Sequence, residues 1–204
     1  SRRLTRSHTA PSWTMKMKSK EIITSSGKSI YIYDDLFSLA EKEFFYDFIT
    51  SSYFKWGTAD GPLSEVKDQI SSKFNNADLE RMRFTESDGF QLLKKNHLIL
   101  NRSPDVIRVN LSPPYESSAV HTDNSFKGSV TVLYYVNLKW ELNWNGHTLF
   151  MSDNLEDAEY TCLYKPGRVV VFDATIPHMI MTQVPRHRFS FVLQYYNSDG
   201  GIKK

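Results

Sequence analysis

Three residues of the sequence have the types and the spacing of a metal site. His121 and Asp123 are separated by one residue in the segment AVHTDN, and His178 follows Pro177 much later in the chain. If the His-x-Asp segment is extended, its first and third side chains point to one face. A distant histidine then completes two imidazoles and one carboxylate on one side of a metal. That arrangement leaves coordination positions open and is typical of non-heme iron(II) oxygenases.

A second signal follows the last histidine. Arg188 and Ser190 are two positions apart, which places a cation and a hydroxyl on one face of a strand. A guanidinium beside a hydroxyl suits a carboxylate ligand. The alternative is two unrelated strands with a chance His-x-Asp tripeptide, since that tripeptide alone is a weak signal. The order of all four residues favours an iron site with an anchor for an acidic co-substrate.

Length and composition are those of one ordinary globular domain. The chain has 204 residues, is 40% hydrophobic and has a net charge of +2, so no overall field points to nucleic acid or membranes. Its one cysteine, Cys162, excludes an intrachain disulfide and fits a reducing, intracellular and cytoplasmic location. No apolar run approaches the roughly 20 residues that span a bilayer, so no membrane partner is expected.

The start of the chain has an uneven charge. Residues 1–20 include six lysines and arginines and no acidic residue. This pattern fits a solvated tail or tag remnant, an arginine- and serine-rich transit segment, or an arm that binds nucleic acid. Because the stretch lacks apolar periodicity, we predict a basic flexible tail or tag remnant at residues 1–28. Residues 29–204 are then expected to form a single domain.

The first half of that domain has helical hydrophobic spacing. Apolar residues recur every three or four positions over residues 36–49 and again over 63–74, which predicts two helices with one buried face each. The sequence pattern of residues 90–100 does not decide between a helix and a strand. We therefore expect a supporting helical layer over residues 29–103.

The second half has short apolar segments separated by turn residues. The predicted strands are 106–111, 129–136, 147–151, 160–164, 168–172, 179–184 and 188–195. Pairs such as Asn145-Gly146 and Pro166-Gly167 mark turns between them. Many short strands with regular turns indicate a sandwich or barrel. The predicted fold is α+β and mainly β, with its strand core at residues 104–197.

Six motifs occur in order between Asp105 and Tyr196. They are HTDN (121–124), VTVLYYVN (130–137), WNGHTL (144–149), PGRVVVF (166–172), PH (177–178) and RFSFVLQYY (188–196). Together they resemble the Fe(II)/2-oxoglutarate dioxygenases, in particular the prolyl-hydroxylase branch that includes the animal oxygen-sensing enzymes. The resemblance implies a double-stranded β-helix (jelly roll, cupin-like) core with an N-terminal helical layer. It also implies Fe(II), with 2-oxoglutarate and O2 as co-substrates and ascorbate as a further candidate.

The resemblance implies a role for each matching position. His121, Asp123 and His178 are the expected iron ligands and catalytic centre. Arg188 is expected to pair with the distal carboxylate of 2-oxoglutarate, which suits its planar fork of donors. Tyr135 is expected to donate its hydroxyl to the same carboxylate.

Strand alternation adds weaker candidates for the same pocket. Thr131 shares a face with Tyr135, and Ser190 shares a face with Arg188. The further candidates for contact with the substrate are Arg108 and Asn110, on one face of the strand that leads to the site, and Tyr115, Trp140 and Trp144 near the predicted entrance. For the two tryptophans, simple packing of a loop over the barrel is the alternative.

Two departures from the family pattern concern the mouth of the pocket. Gly146-His147 stands where much of the family has Gly-Gly, and residues 111–116 do not reproduce the glycine- and tyrosine-rich approach of the oxygen sensors. The identity of the substrate is therefore left open. We expect His147 to be an exposed turn residue, His187 to lie on the surface and Cys162 to pack in the core.

The expected reaction is hydroxylation of a C–H bond with release of succinate and CO2, most readily on a prolyl residue of a peptide or protein. A free amino acid or other small molecule is the main alternative. A nucleic-acid demethylase is supported by the basic N-terminal segment alone, and the near-neutral net charge weighs against nucleic acid as a partner. A non-catalytic jelly-roll binding module is the remaining alternative. Oligomeric state is not encoded in any of these patterns.

Overall fold

Strands dominate the two ranges that the computed structural model describes, residues 18–58 and 69–197. The strands are β1 (Lys18–Ile23), β2 (Ser29–Asp34), β3 (Lys55–Thr58), β4 (Gln69–Lys73), β5 (Val106–Ser112), β6 (Val130–Tyr135), β7 (Thr148–Met151), β8 (Ala158–Cys162), β9 (Val169–Asp173), β10 (His178–Ile180) and β11 (Arg188–Tyr195). The helices are α1 (Leu39–Thr50), α2 (Asn76–Met82) and α3 (Asp88–Asn96), with short 3-10 turns at Leu98–Asn101 and Leu142–Trp144.

The strands form two antiparallel sheets. The larger sheet has eight strands in the order β1-β2-β9-β6-β11-β5-β4-β3, and the smaller sheet has the order β10-β7-β8. An apolar cluster joins Tyr135 and Phe172 of the larger sheet to Phe150 and Cys162 of the smaller one. The two sheets therefore share one core, and the predicted mainly β jelly-roll fold is confirmed.

The helices pack against the other face of the larger sheet. The ring of Phe84 lies 5.0 Å from Phe45 of α1, 5.4 Å from Tyr134 of β6 and 5.1 Å from Phe191 of β11, measured between ring centroids. Tyr134 and Phe191 alternate along their strands with side chains of the opposite face. One face of the larger sheet thus packs on the helices through an aromatic core. Its other, inner face is turned toward the smaller sheet.

Helix α1 begins at a reciprocal cap. The Ser38 hydroxyl accepts a hydrogen bond from the Glu41 N–H, and the Glu41 carboxylate accepts one from the Ser38 N–H at 2.7 Å. Phe45 and Ile49 form its buried face. The helix predicted over residues 36–49 is confirmed, and it begins at Leu39 because Ser38 occupies the cap. Within the described ranges no helix is long and apolar enough to cross a membrane.

The helix predicted over residues 63–74 is wrong where the structure describes that segment. Residues 59–68 lie outside the described residues, and Gln69–Lys73 is strand β4. Ile70 pairs with Leu111 of β5, and Ser72 pairs with Val109. A neighbouring strand therefore decided the conformation, because the spacing of a few apolar residues is a weaker determinant than sheet pairing. The unassigned stretch at residues 90–100 is mostly helix α3.

Part of the segment predicted as an N-terminal tail belongs to the sheet. Lys18–Ile23 is strand β1, and all six of its residues pair with β2. The ammonium group of Lys20 lies 4.9 Å from the centre of the Tyr160 ring, so some of the basic charge covers an aromatic surface. Residues 1–17 lie outside the described residues. The division of the chain into tail and domain stays a prediction.

We expect Phe84→Ala to lower the free energy of unfolding by about 3–5 kcal/mol, because it empties a buried site where the helices meet the sheet. Urea unfolding followed by circular dichroism measures this loss. Phe44→Ala is the matched control, since the Phe44 ring on α1 is 48% exposed, and it should change stability by only about 0.5 kcal/mol. Equal effects of the two changes would contradict a rigid contact between helices and sheet.

Candidate active site

His121, Asp123 and His178 come together between the two sheets. His121 and His178 exchange two backbone hydrogen bonds, of 3.0 and 2.9 Å, across an isolated antiparallel bridge. The Nε2 atom of His178 lies 3.7 Å from Oδ2 of Asp123, and Nε2 of His121 lies 4.0 Å from Oδ1. One ligand atom from each residue lies within 4.8 Å of the other two. In the His-x-Asp segment this bridge at His121 is the one strand-like pairing among the described residues.

Both imidazoles present the same ring nitrogen to the carboxylate. Nδ1 of His121 bonds the carbonyl of Ala119 at 2.9 Å, and Nδ1 of His178 bonds the carbonyl of Ile176 at 3.0 Å. Burial, followed by the neighbouring His121, lowers the pKa of His178 to about 4, so its ring is neutral near pH 7. A neutral ring whose Nδ1–H is held by a carbonyl has a free lone pair on Nε2. Two imidazole Nε2 atoms and a carboxylate are a donor set that fits a divalent transition metal.

Thr131 holds the carboxylate of this group. Its hydroxyl donates a hydrogen bond of 2.6 Å to Oδ2 of Asp123, and both residues are buried. Thr131 is at the inner face of β6, where strand alternation predicted it. The structure gives it a partner, the Asp123 carboxylate, that the sequence did not reveal. A buried carboxylate oriented in this way keeps one rotamer, which is what a ligand of fixed geometry requires.

Arg188 is a buried cation on the first residue of β11. Its side chain is 1% exposed, and it donates from Nε to the carbonyl of Gly146 at 2.8 Å. Its terminal nitrogens lie 3.3 Å from the hydroxyls of Ser190 and Thr148. The guanidinium also lies over the ring of Tyr164. Because arginine has five N–H donors, these three bonds leave two unused.

Within the described part of the chain, Arg188 has no carboxylate partner. The ion pairs of arginine and lysine found there involve other residues than Arg188, such as Arg168 with Asp34 at 2.8 Å. Burying a charge without a counter-charge is costly, so the neutral hydrogen bonds and the ring contacts offset only part of that cost. The arrangement therefore favours an anion at Arg188.

Gly146 shapes the place where Arg188 sits. Its φ is +68°, a conformation that favours glycine. A Cβ atom here would lie 3.0 Å from side-chain atoms of Trp140 and Gln183 and 3.3 Å from Cδ of Arg188. Because Gly146 has no side chain, the turn can bring the Gly146 carbonyl against the guanidinium of Arg188.

One small cavity contains most of the predicted site. Its polar lining residues are Asn110, His121, Asp123, Thr131, Thr148, His178, Arg188 and Ser190, and its apolar lining residues are Leu133, Phe172, Ile180 and Val192. The structure therefore brings the three predicted metal ligands, the predicted anchor and both weaker candidates to one space. A larger groove near Trp56 and Lys73 has no histidine among its described lining residues, so it lacks this chemistry.

Tyr135 does not line the cavity. Its hydroxyl is fully buried and donates to Oγ1 of Thr148 at 2.8 Å, while burial raises its pKa well above the usual value. The contact with a co-substrate that the resemblance implied for Tyr135 stays a prediction. Thr148 was missed by the sequence analysis, although its position two residues before the buried Phe150 places it on the inner face of β7.

Of the five residues predicted to contact the substrate, Asn110 alone is among the lining residues of the cavity. Arg108 precedes Asn110 by two positions on the inner face of β5, but only Asn110 reaches the cavity wall. The rings of Trp140 and Trp144 meet at 5.6 Å, and Trp140 packs on Tyr164 at 4.3 Å. The two tryptophans therefore pack against each other and against Tyr164, and neither is among the lining residues of the cavity.

Tyr115, His147 and His187 are not among the lining residues of the cavity. Tyr115 is 72% exposed, with a φ of +70°. His147 is buried rather than exposed as predicted, because its Nδ1 accepts the Tyr164 N–H at 3.0 Å. Burial, and then Arg188, lower its pKa. His187 is exposed and Cys162 is buried, as predicted.

Comparison by sequence finds no matching family model and no matching curated protein. Among solved structures, a prolyl hydroxylase from Trichoplax adhaerens, in complex with a peptide fragment of the hypoxia inducible factor oxygen degradation domain, is 17% identical, with a TM-score of 0.64 over 83% of this chain and 84% of its own. A viral collagen prolyl hydroxylase from Paramecium Bursaria Chlorella virus-1, in complex with 2-oxoglutarate, is 12% identical, with a TM-score of 0.60 over 83% of this chain and 96% of its own.

A third similar structure has different chemistry. SnoK, a non-heme alpha-ketoglutarate-dependent carbocyclase from nogalamycin biosynthesis, is 11% identical, with a TM-score of 0.56 over 83% of this chain and 80% of its own. At such low identity the likeness is one of fold. The chain therefore has the fold of the 2-oxoglutarate- and iron(II)-dependent oxygenases, and prolyl hydroxylases are among its structural neighbours.

Proposed function

We propose that this protein is an Fe(II)- and 2-oxoglutarate-dependent dioxygenase that hydroxylates a C–H bond. The observation that carries the proposal is the buried Arg188, which lacks a carboxylate partner among the described residues and shares one small cavity with His121, Asp123 and His178. A metal group alone would fit many metalloproteins. A metal group beside an uncompensated buried cation fits a metal that works with an acidic co-substrate.

In this proposal His121, Asp123 and His178 hold iron through Nε2, a carboxylate oxygen and Nε2. Bound iron, with 2-oxoglutarate and O2, supplies the oxidation of a C–H bond, with release of succinate and CO2. Arg188 binds the distal carboxylate of 2-oxoglutarate and so fixes its orientation. Leu133, Phe172, Ile180 and Val192 form an apolar wall that excludes water from the reacting end. The same donor set also binds Mn, Co, Ni and Zn, since affinity across the divalent series does not single out iron.

A prolyl residue in a peptide or protein is the proposed substrate. The support is the sequence resemblance to the prolyl-hydroxylase branch and the likeness in fold to two prolyl hydroxylases, one of them in complex with a peptide fragment. A free amino acid or other small molecule is the second candidate, which the likeness to the carbocyclase favours. A nucleic-acid demethylase has no further support in the described residues. Ascorbate as a reductant and an intracellular location stay proposals.

The reaction is tested by oxygen-dependent succinate formation. Purified protein with Fe(II) and 2-oxoglutarate is screened against proline-containing peptides, free amino acids and methylated oligonucleotides. His178→Ala serves as the variant without a metal site, and His187→Ala as the matched control at an exposed histidine. Succinate that appears equally with His178→Ala would contradict the iron site. Stimulation by amino acids or oligonucleotides instead of peptides would replace the proposed substrate and keep the reaction.

The bond from Thr131 to Asp123 gives a prediction on metal affinity. Thr131→Val keeps the shape and removes the hydroxyl, so the carboxylate loses its orienting donor, and Mn(II) affinity should fall roughly 10- to 100-fold. Isothermal titration of Mn(II) into the metal-free protein measures it. Thr131→Ser restores the hydroxyl and should recover most of the affinity. Unchanged affinity in the valine variant would show that Asp123 is oriented by other groups.

The anchor gives a prediction on co-substrate affinity. Arg188→Lys keeps the charge and loses the fork, which should weaken 2-oxoglutarate binding by about 1.5–3 kcal/mol, a roughly 10- to 150-fold rise in Kd. Arg188→Ala should weaken it further, and both should keep Mn(II) affinity. Titration of 2-oxoglutarate into the Mn(II) form decides this. Arg186→Lys is the matched control at an exposed neighbour that lies over Trp144. Unchanged Kd in both Arg188 variants would move the anchor elsewhere.

A further inference from the structure

A groove at the β3 end of the larger sheet lies apart from the metal group. It has a volume of about 710 Å³, within the range of roughly 300–1,000 Å³ that is usual for ligand sites. Strand β4, the end of α1 and helix α2 form its walls, and β3 contributes Lys55 and Trp56. None of its described lining residues belongs to the metal group or the anchor. The function proposed above therefore leaves this groove without a role.

The edge of β4 is open inside the groove. The pairing of β3 with β4 ends at Lys55 and Ser71, whereas β4 pairs with β5 as far as Lys73. Among the described residues, Ser72 and Lys73 therefore have a neighbouring strand on one side only. A strand edge of this kind presents backbone N–H and C=O groups that can pair with another chain.

Two lysines lie on one face of this edge. Lys55 pairs with Ser71, which pairs in turn with Asn110 on the inner face of the sheet, and Lys73 lies two residues beyond Ser71. Both lysines are therefore on the inner face, and both side chains are exposed. Within the described ranges neither lysine has an acidic partner.

Helix α2 leaves the charge of the groove positive. Its Arg81 pairs with Asp78 on the same helix, so these two charges offset each other. The described lining residues comprise three cations and one carboxylate. Lys55 and Lys73 therefore remain as an excess of two positive charges, which favours an acidic ligand.

Aromatic side chains lie on the opposite face of the same edge. Trp56 follows Lys55 in β3 and so points the other way, and its side chain is 63% exposed. The Phe74 ring lies 5.8 Å from Phe191 of the helix-facing core. Tyr53, which is 78% exposed, borders the groove where α1 leads into β3. Lysines and aromatic rings are thus divided between the two faces of one strand edge.

This division selects an extended polypeptide over a nucleic acid. Successive side chains of a strand added to a sheet edge meet its two faces in turn, so one set meets the lysines and the other set meets the aromatic rings. A single strand of nucleic acid is instead held by cations and stacking rings along one continuous surface. Here the sheet edge separates the cations from the rings.

We propose that this groove binds an extended, acidic segment of a partner polypeptide in which acidic and apolar residues alternate. The acidic side chains pair with Lys55 and Lys73, and the apolar side chains pack on Trp56 and Tyr53. Backbone hydrogen bonds to the open edge of β4 hold the segment in register. The binding does not depend on the reaction proposed for the cavity.

The test is fluorescence anisotropy of a labelled peptide of six Glu-Val repeats, titrated with the unchanged protein. Binding should saturate and should weaken as salt is raised from about 50 to 500 mM, because exposed charge pairs are screened. A labelled peptide of the same composition, with its glutamates in one block and its valines in another, should bind more weakly, because it cannot present the two residue types to opposite faces.

Charge and aromatic variants locate the binding. Lys55→Glu and Lys73→Glu should each raise Kd roughly 3- to 10-fold, because each replaces an exposed attractive pair with a repulsive one. Lys73→Arg keeps the charge and should keep Kd within about twofold. Trp56→Ser should raise Kd about 5- to 30-fold, as expected for a tryptophan at the centre of an interface. Trp56→Phe replaces it, with a smaller effect, if the serine variant does not fold. Lys95→Glu, at an exposed lysine of α3, is the matched control and should leave Kd unchanged.

Four results would overturn the inference. Absence of saturable binding, or equal binding of the alternating and the block peptide, would remove the added strand. Binding that none of the groove variants weakens would place the peptide elsewhere on the protein. Tighter binding of a single-stranded oligothymidylate than of the peptide would make the groove a nucleic-acid surface. A dimer that dissociates in Trp56→Ser, measured by sedimentation, would assign the groove to a second copy of this chain.

Discussion

The strands at the centre of the larger sheet contribute side chains to two different surfaces: an apolar core against the helices and the lining of the cavity. In β6, Val132 and Tyr134 face the helices, while Thr131, Leu133 and Tyr135 face the cavity side. Because side chains alternate along a strand, a shift of register by one residue would exchange these sets. The metal group, the anchor and the aromatic core therefore depend on the same pairing between β6, β9 and β11. The register of β6 against β9 and β11 therefore determines both the packing of the core and the positions of the site residues.

Polarity is concentrated on a few buried atoms of the inner face. Arg188, Asp123 and His178 are each less than a tenth exposed, and each is held by at least one short-range partner: the Gly146 carbonyl, the Thr131 hydroxyl and the Ile176 carbonyl. These contacts replace only some of the hydrogen bonds that the three side chains would make with water. The other lone pairs and N–H groups of these side chains face the cavity. The fold thus stabilises these side chains in their orientations. Their unused lone pairs and N–H groups remain available to a ligand.

Most residues that the sequence singled out for a site lie together in the structure, whereas parts of the local structure around them were predicted wrongly. Side-chain chemistry marked His121, Asp123, His178 and Arg188, because few other combinations of residue types share this spacing. Most strands of the second half were found from their turns. The segment at residues 69–73 was misread because apolar spacing does not record which strand lies alongside. Thr148 was missed and His147 was placed at the surface for a related reason: both depend on contacts with Tyr135, Tyr164 and Arg188 that come from distant parts of the chain.

Gly146 has a consequence for how this protein tolerates sequence change. Asn145 on one side of it is exposed, whereas His147 on the other side is buried and accepts a hydrogen bond from the Tyr164 N–H. A methyl group on Gly146 itself would make tight contacts of 3.0–3.3 Å with side-chain atoms of Gln183, Trp140 and Arg188. Redesign of this loop can therefore begin in residues 142–145, where side chains are largely open to solvent. The glycine itself is hard to replace, because a side chain at its φ of +68° is strained and presses on Trp140, Gln183 and Arg188. A library that randomised the whole loop would lose most of its members to this one backbone position.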